Sequence, residues 1–293
     1  MKINAYILVA DPAWIEASVL SYYDIVDKIV ISTDENARSY TGTPLDLEEC
    51  FRRLRLIDPQ GKFEYSSGHY ARLEHTPMDN ETHQRRCAME VASRGADWVL
   101  QIDSDEVLPD AKVFLSCVRE ADAKGCDGLE YPARWLYAHA RGDWYLEGCA
   151  PSWRTSADYP GALAVRANTK LHFARRMENA QLFRVDVRAK NSDIFHPPDA
   201  PVHRVVKLRH ALLHFSMVRR ADELRRKMSS WSHAHDRDWE DEFDYWQWCA
   251  RHPFLASAKS PFIRAHRIHN HRRPLRPTKI AMSDFIRPEY RDE

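Results

Sequence analysis

From Trp98 to Ile102 the chain reads Trp-Val-Leu-Gln-Ile, with almost no polar break, and runs straight into Asp103-Ser104-Asp105-Glu106. A strand that alternates apolar and polar residues needs only one dry face. A strand without alternation must be covered on both, a condition met in the middle of a parallel sheet with helices on either side. The residues before it prepare such a sheet. An apolar, β-branched run at 3–9 stops at Asp11-Pro12, helical spacing follows at 14–23, and Ile29-Val30-Ile31 is the next apolar run, ending at Asp34. Strand, helix and strand within about 35 residues form the unit from which parallel sheets are assembled. Helices are expected again at 45–56, 82–93 and 111–124, and short strands at 61–65 and 128–132.

Past residue 133 the pattern loosens. Aromatic residues, arginines and turn formers fill 133–200, and 205–215 reads as a strand or strand pair ending at His214. Helices are expected at 222–231 and 239–248, and from about residue 253 the chain turns basic and proline-punctuated. Hydrophobic residues make up 44% and charged residues 29%, so a chain of 293 residues has material for a sizeable core. Lysine plus arginine and aspartate plus glutamate both number 43, which gives no general basis for nucleic-acid binding. The apolar N-terminal run is too short to span a membrane and carries no cleavage pattern, so a cytoplasmic protein is expected. The six cysteines form no C-x-x-C pair and read as reduced, mostly buried thiols.

The acids after the 98–102 strand are the chemical centre of the sequence. Open α/β sheets bind ligands beyond the carboxyl ends of their strands. Asp103 and Asp105 would stand at that edge as two hard oxygen donors, suited to Mg²⁺ or Mn²⁺ bridging phosphate oxygens. The bland alternative is a solvated acidic turn or a helix N-cap.

The string from Gly95 to Glu106 resembles the metal-site strand of family 2 glycosyltransferases, in which G-a-D-W-v-l-x-x-D-a-D-E often occurs. Gln84-Arg85-Arg86-Cys87-Ala88 is similar to that family's A-R-N-x-A helix start, with Arg86 in place of the Asn. Residues 14–19 and 24–30 resemble its opening helix and second strand, and the likeness is good over roughly residues 1–110. It implies an α/β, GT-A-like fold: a mixed, mostly parallel sheet flanked by helices, with a helical C-terminal extension. The expected parts are a nucleotide-sugar-binding core at 1–130, an acceptor-side part of the same domain at 131–220, and a helical, basic extension at 221–293.

The resemblance also implies a divalent-metal-dependent transfer from a nucleotide-sugar donor to a glycan or lipid-linked acceptor. Val9, Ala10, Asp11 and Asp34 would line the base and ribose, Ser104 would sit in the metal loop, and Arg85 would reach the donor phosphates. The family's Asn-Glu after the first strand is replaced here by Ala10-Asp11. Leu212-Leu213-His214-Phe215-Ser216, followed by Glu223 and Lys227, resembles the family's H-x-S…E…K segment and offers His214 as third metal ligand, with His203 and His210 as competitors. A general base is expected among Asp143, Glu147, Asp158, Asp186, Asp193 and Asp199; Glu147, in an aromatic stretch, and Asp199 lead.

His266, His269 and His271 with Arg272 and Arg273 read as a basic solvated tail, whose second reading is peripheral contact with anionic lipid at the inner membrane face. Neither a P-loop nor a dinucleotide fingerprint nor a G-x-S-x-G elbow occurs. Two rivals remain: a metal-dependent nucleotidyltransferase or phosphohydrolase on the same carboxylates, and a non-catalytic nucleotide-sugar-binding module.

Overall fold

The computed structural model describes residues 1–260, 273–282 and 285. Its main sheet uses β1 (Ile3–Leu8), β2 (Lys28–Asp34), β3 (Phe63–Gly68), β4 (Trp98–Gln101), β6 (Gly128–Glu130), β9 (Ala164–Arg166), β10 (Leu182–Asp186) and β11 (Arg204–Val205). Their order is β11-β10-β6-β9-β4-β1-β2-β3, and β9 alone runs against its neighbours. A smaller sheet has the order β13-β8-β7-β12-β5, built from β5 (Glu106–Val107), β7 (Ala133–Arg141), β8 (Trp144–Gly148), β12 (Leu212–His214) and β13 (Leu275–Lys279). The fold class is α/β with a mixed, mostly parallel sheet flanked by helices, as expected.

Side-chain alternation shows how the central strands are covered. Ile3, Ala5, Ile7, Ile29, Ile31, Trp98 and Leu100 face one side. There they meet α1 (Ile15–Tyr22), α2 (Leu47–Leu56) and α4 (Ala111–Ala123) through Val19, Leu54 and Phe114. Tyr6, Val30 and Val99 face the other side and meet Ala88, Met89 and Ala92 of α3 (Pro77–Ala92). All of Trp98, Val99, Leu100 and Ile102 are fully buried, which is what an unbroken apolar strand demands.

Two expectations are corrected. Helix α3 begins at Pro77, not near residue 82: Thr76 caps it by accepting from the Asp79 amide at 3.1 Å, and proline occupies the first turn where its missing N–H costs nothing. Strands β9, β10 and β11, all beyond residue 130, complete the main sheet. The extension beyond residue 220 is only partly helical. It supplies α5 (Ala221–Ser230), α6 (Glu240–Arg251) and α7 (Pro253–Lys259), and then β13, which pairs antiparallel with β8. Leu224, Met228, Phe243 and Trp246 of these helices pack on Tyr137 and Leu146 of the small sheet. The six cysteines are free thiols, five of them buried. The histidine-rich run at 266–272 lies outside the described residues; Arg273 pairs with Asp158 at 2.7 Å and lies over the Trp135 ring. Among the described residues no helix is long and apolar enough to cross a membrane.

Candidate active site

Strand β1 lies between β2 and β4 and is parallel to both, so their carboxyl ends share one edge. The chain leaves β1 to build β2 and β3 on one side and later places β4 on the other. That reversal opens a crevice between the loops after β1 and β4, the usual ligand position in such sheets. Asp11 follows β1, and Asp103 to Glu106 follow β4. The β4 loop is a tight turn closed by the Glu106 amide on the Asp103 carbonyl at 3.0 Å. Ser104 sits half-buried in it.

The two aspartates have different surroundings. Asp103 accepts from Nη2 of Arg85 at 2.7 Å and is ion-paired with Nη2 of Arg175. Arg85 also holds Glu81, one turn earlier on α3, at 2.7 Å, and Arg175 reaches Glu106 at 2.7 Å. Both guanidiniums are buried, and Nη1 of each finds no acceptor among the described residues. Asp105 meets the C-terminal half of the chain. Its Oδ2 accepts from Lys227 at 2.5 Å and from Arg219 at 3.2 Å, and its Oδ1 lies 3.6 Å from Nε2 of His214. Arg219 links it to Asp11 at 2.9 Å, and Lys227 also donates to Ser216 at 3.0 Å. The H-x-S…K residues therefore assemble around Asp105, while Glu223 accepts from the Arg220 amide at the start of α5.

Why His214 arrives there is a matter of register. It ends β12 and pairs across from Glu106 in β5, with the Phe215 amide donating to the Asp105 carbonyl at 2.8 Å. Trp14, just before α1, stacks on Phe215 with centroids 4.2 Å apart and fixes the loop after β1 to the same corner. On the other flank Arg175 approaches through Gly161. A Cβ at Gly161, whose φ is +135°, would lie 2.8 Å from the Arg175 Cβ and 3.2 Å from its backbone.

Burial pushes the Asp103 carboxyl up, but Arg175 and then Arg85 outweigh it and hold it below the ordinary carboxylate value. Burial acts likewise on Asp105, outweighed by Lys227, Arg219 and His214. Groups with depressed native pKa values stabilise the fold fully above their unfolded value of about 3.9 and cease to do so as pH falls through the native values. Folding stability is therefore expected to show no loss from this pair between pH 8 and about pH 5, and to drop steeply below about pH 4. Denaturant melts across that range check this. A decline already complete by pH 5 would contradict the depressed values.

The structure brings together Asp11, Arg85, Asp103, Asp105 and His214 from the expected residues. Val9 is buried beside them, its amide on the Ser32 carbonyl at 3.0 Å, and Ala10 is exposed at the rim. Asp34 is a correction. Its Oδ1 accepts from the amides of Asn36 (3.0 Å) and Arg38 (3.1 Å), and its Oδ2 from those of Tyr70 (2.8 Å) and Ala71 (3.0 Å). An ionised carboxylate has about four acceptor positions, so this one ties two loops together and has none left for a ribose. Glu147 is a second correction. It is wholly buried in β8, with a two-pronged pair to Arg134 at 2.9 and 3.0 Å and a further one to Arg276 at 3.2 Å, and a base needs a free lone pair. Asp199 is exposed in the segment between β10 and β11, and β10 lies three strands from β4.

Sequence reasoning missed Arg175 and Arg219. Each is one arginine among many, and nothing local marks it. Glu106 and Lys227 were present only as parts of motifs.

A divalent cation is implied by the carboxylate pair, and the donor set can be tested for fit. Among the described residues no three histidine, cysteine, aspartate or glutamate side chains form a ready cage. Asp103 has both oxygens engaged by arginines. Asp105 Oδ1 and His214 Nε2, 3.6 Å apart, can reach one cation together. Mg²⁺ and Mn²⁺ are commonly held by one or two protein groups, with water and substrate phosphate completing the shell, so this pair fits.

No family model and no curated protein matches the sequence. Among solved structures, the chain is similar to a 4-diphosphocytidyl-2C-methyl-D-erythritol synthase from Anaerococcus prevotii, at 13% identity and a TM-score of 0.32, covering 57% of this chain and 70% of that one. It is also similar to a Pyrobaculum calidifontis mannosyltransferase in complex with GDP-Man and Mn²⁺, at 12% identity and a TM-score of 0.31, covering 48% of this chain and 36% of that one. A third is a mannose-1-phosphate geranyltransferase from Thermus thermophilus, at 9% identity and a TM-score of 0.29, covering 58% of this chain and 51% of that one. Superpositions this loose carry no argument about the site.

Proposed function

We propose that this chain is a glycosyltransferase that takes a sugar from a nucleotide-sugar donor lying across the carboxyl ends of β1 and β4. The observation that carries the reading is the convergence of Asp11, Asp105 and His214 from three distant segments on the crevice where the sheet reverses. A catalytic apparatus explains that convergence better than a solvated turn does, because Asp105 is buried.

In this reading Asp105 and His214 would hold a divalent cation, which would supply Lewis acidity toward the diphosphate. Arg219 and Lys227 keep the Asp105 carboxylate ionised and aimed. Asp103 is not a ligand. It anchors Arg85 and Arg175, which also pair with Glu81 and Glu106, and whose spare Nη1 donors would be the groups to turn toward a diphosphate. Val9 and Ala10 shape the floor and rim beneath the nucleoside. The acceptor is of the glycan or lipid-linked class.

The test is binding. In thermal unfolding with Mn²⁺ present, a nucleoside diphosphate at about 100-fold its dissociation constant is expected to raise the melting temperature by roughly 5 °C. Without the metal the shift should shrink markedly. Absence of any shift across uridine, guanosine, cytidine and thymidine diphosphates would reject the donor site. The nucleotidyltransferase reading uses the same carboxylates and is separated by product: it releases pyrophosphate, whereas sugar transfer releases the nucleoside diphosphate.

A further inference from the structure

On α3, Asp79, Thr82, His83 and Arg86 follow one another at the helical spacing that places side chains on a single face. This face is turned away from the stripe of Glu81 and Arg85 that serves the crevice. It walls a half-open cavity of about 290 Å³, flanked by Arg72 and His75 before the helix and by His172 and Phe173 from the segment after β9. Ligand clefts begin near about 300 Å³, so the space suits a small group.

The lining is cationic. Arg72 gives its Nε to Asn80 at 3.0 Å, and Arg86 gives Nε and Nη2 to the carbonyls of Leu171 and His172 at 2.8 and 2.9 Å. Both Nη atoms of Arg72 and Nη1 of Arg86 form no hydrogen bond with the described residues. Three imidazoles stand beside them. Burial first, and then Arg72, Arg86 and His75, hold the His83 ring below the usual histidine value. The single acid of the lining, Asp79, is engaged by the Thr76 hydroxyl at 2.7 Å. His172 is balanced by Glu178 at 3.0 Å, outside the lining.

We propose that this cavity binds a phosphomonoester group, separately from the crevice. Two guanidiniums with planar donors to spare, and neutral or charged imidazoles around them, match a tetrahedral dianion better than a carboxylate or a neutral sugar. The same short segment that offers His172 and Phe173 to the cavity carries Arg175 to Asp103 and Glu106. A phosphate seated here therefore braces the segment that places one of the crevice cations. The proposal stands without the transfer reading, since it concerns a different face of α3.

The test is isothermal titration of the full chain at constant ionic strength with inorganic phosphate and, in a second arm, glucose 6-phosphate, each with and without saturating uridine diphosphate and Mn²⁺. Phosphate binding is expected to persist when the nucleotide is present, and Arg72→Gln should weaken it at least about 10-fold. Tighter binding of the sugar phosphate than of inorganic phosphate identifies an organic phosphomonoester as the ligand, and equal binding identifies the free ion. Should Arg72→Gln lower the melting temperature through its loss of Asn80, His83→Gln carries the same measurement. Phosphate affinity unchanged in both variants, or displacement of phosphate by the nucleotide in proportion to its own binding, overturns the proposal.

Discussion

Asp105→Asn is expected to lower metal-dependent sugar transfer at least about 1,000-fold in kcat/KM, equivalent to about 4 kcal/mol of transition-state stabilisation. The amide keeps the shape but removes the charge proposed to bind the cation, which also pairs with Lys227 and Arg219. It also leaves Arg219, whose side chain is 1% exposed, with Asp11 as its remaining carboxylate beside the carbonyls of Phe215 and Ser216, so a stability loss of roughly 3 kcal/mol should accompany the loss of activity. The two effects separate through His214→Gln. That change removes the proposed metal donor while leaving the pairs of Asp105 with Lys227 and Arg219 intact, and should raise the Mn²⁺ concentration needed for half activity with little change in melting temperature. Initial rates against Mn²⁺ concentration, beside calorimetric melts, measure both. Asp105→Asn retaining transfer within tenfold of the native chain would dispose of the metal assignment.

The second large effect belongs to Arg175. Arg175→Met is expected to destabilise the fold by about 3–5 kcal/mol, because Glu106 is wholly buried and Asp103 mostly so, and both lose a guanidinium partner. For a chain of this size that is a fall of roughly 5–8 °C in melting temperature. The penalty has a pH signature. With Arg175 present, Asp103 is held below the ordinary carboxylate value. With methionine there, the buried acid regains stability by taking a proton, so the gap between native and variant should narrow as pH falls from 8 toward about 4.5. Calorimetry at the two ends of that range decides. A gap that stays constant with pH would mean that the arginine matters for its packing and not for its charge.

These two variants touch residues of very different visibility in the sequence. Asp105 stands out because a period of two and a run of apolar residues place the end of β4 on a predictable edge. The same regularity makes β1, β2 and α1 legible, since each is decided by neighbours in the chain. Arg175 and Arg219 are decided by partners 69 and 114 residues away, Glu106 and Asp105, and no local pattern announces such a pairing. Asp34 and Glu147 illustrate the converse. Both have the residue type that the chemistry wants, but their lone pairs are spent on backbone amides and on arginines, which only the folded chain reveals. The small sheet was the least legible part. Its strands come from residues 106 to 279, and their aromatic sequences carry little alternation.

That sheet has a consequence for how the chain can be handled. Strand β13 reaches back across more than a hundred residues to lie along β8, and Arg276 travels with it to Glu147. A shortened chain lacking 275–279 would bare a row of amides and carbonyls on β8, a sticky margin of the kind that recruits foreign strands. It would also strip a counter-ion from an acid with no access to water. Strand β13 thus works as a clasp: it is remote from Asp105 and His214 in sequence, yet it fastens the sheet on which His214 is mounted.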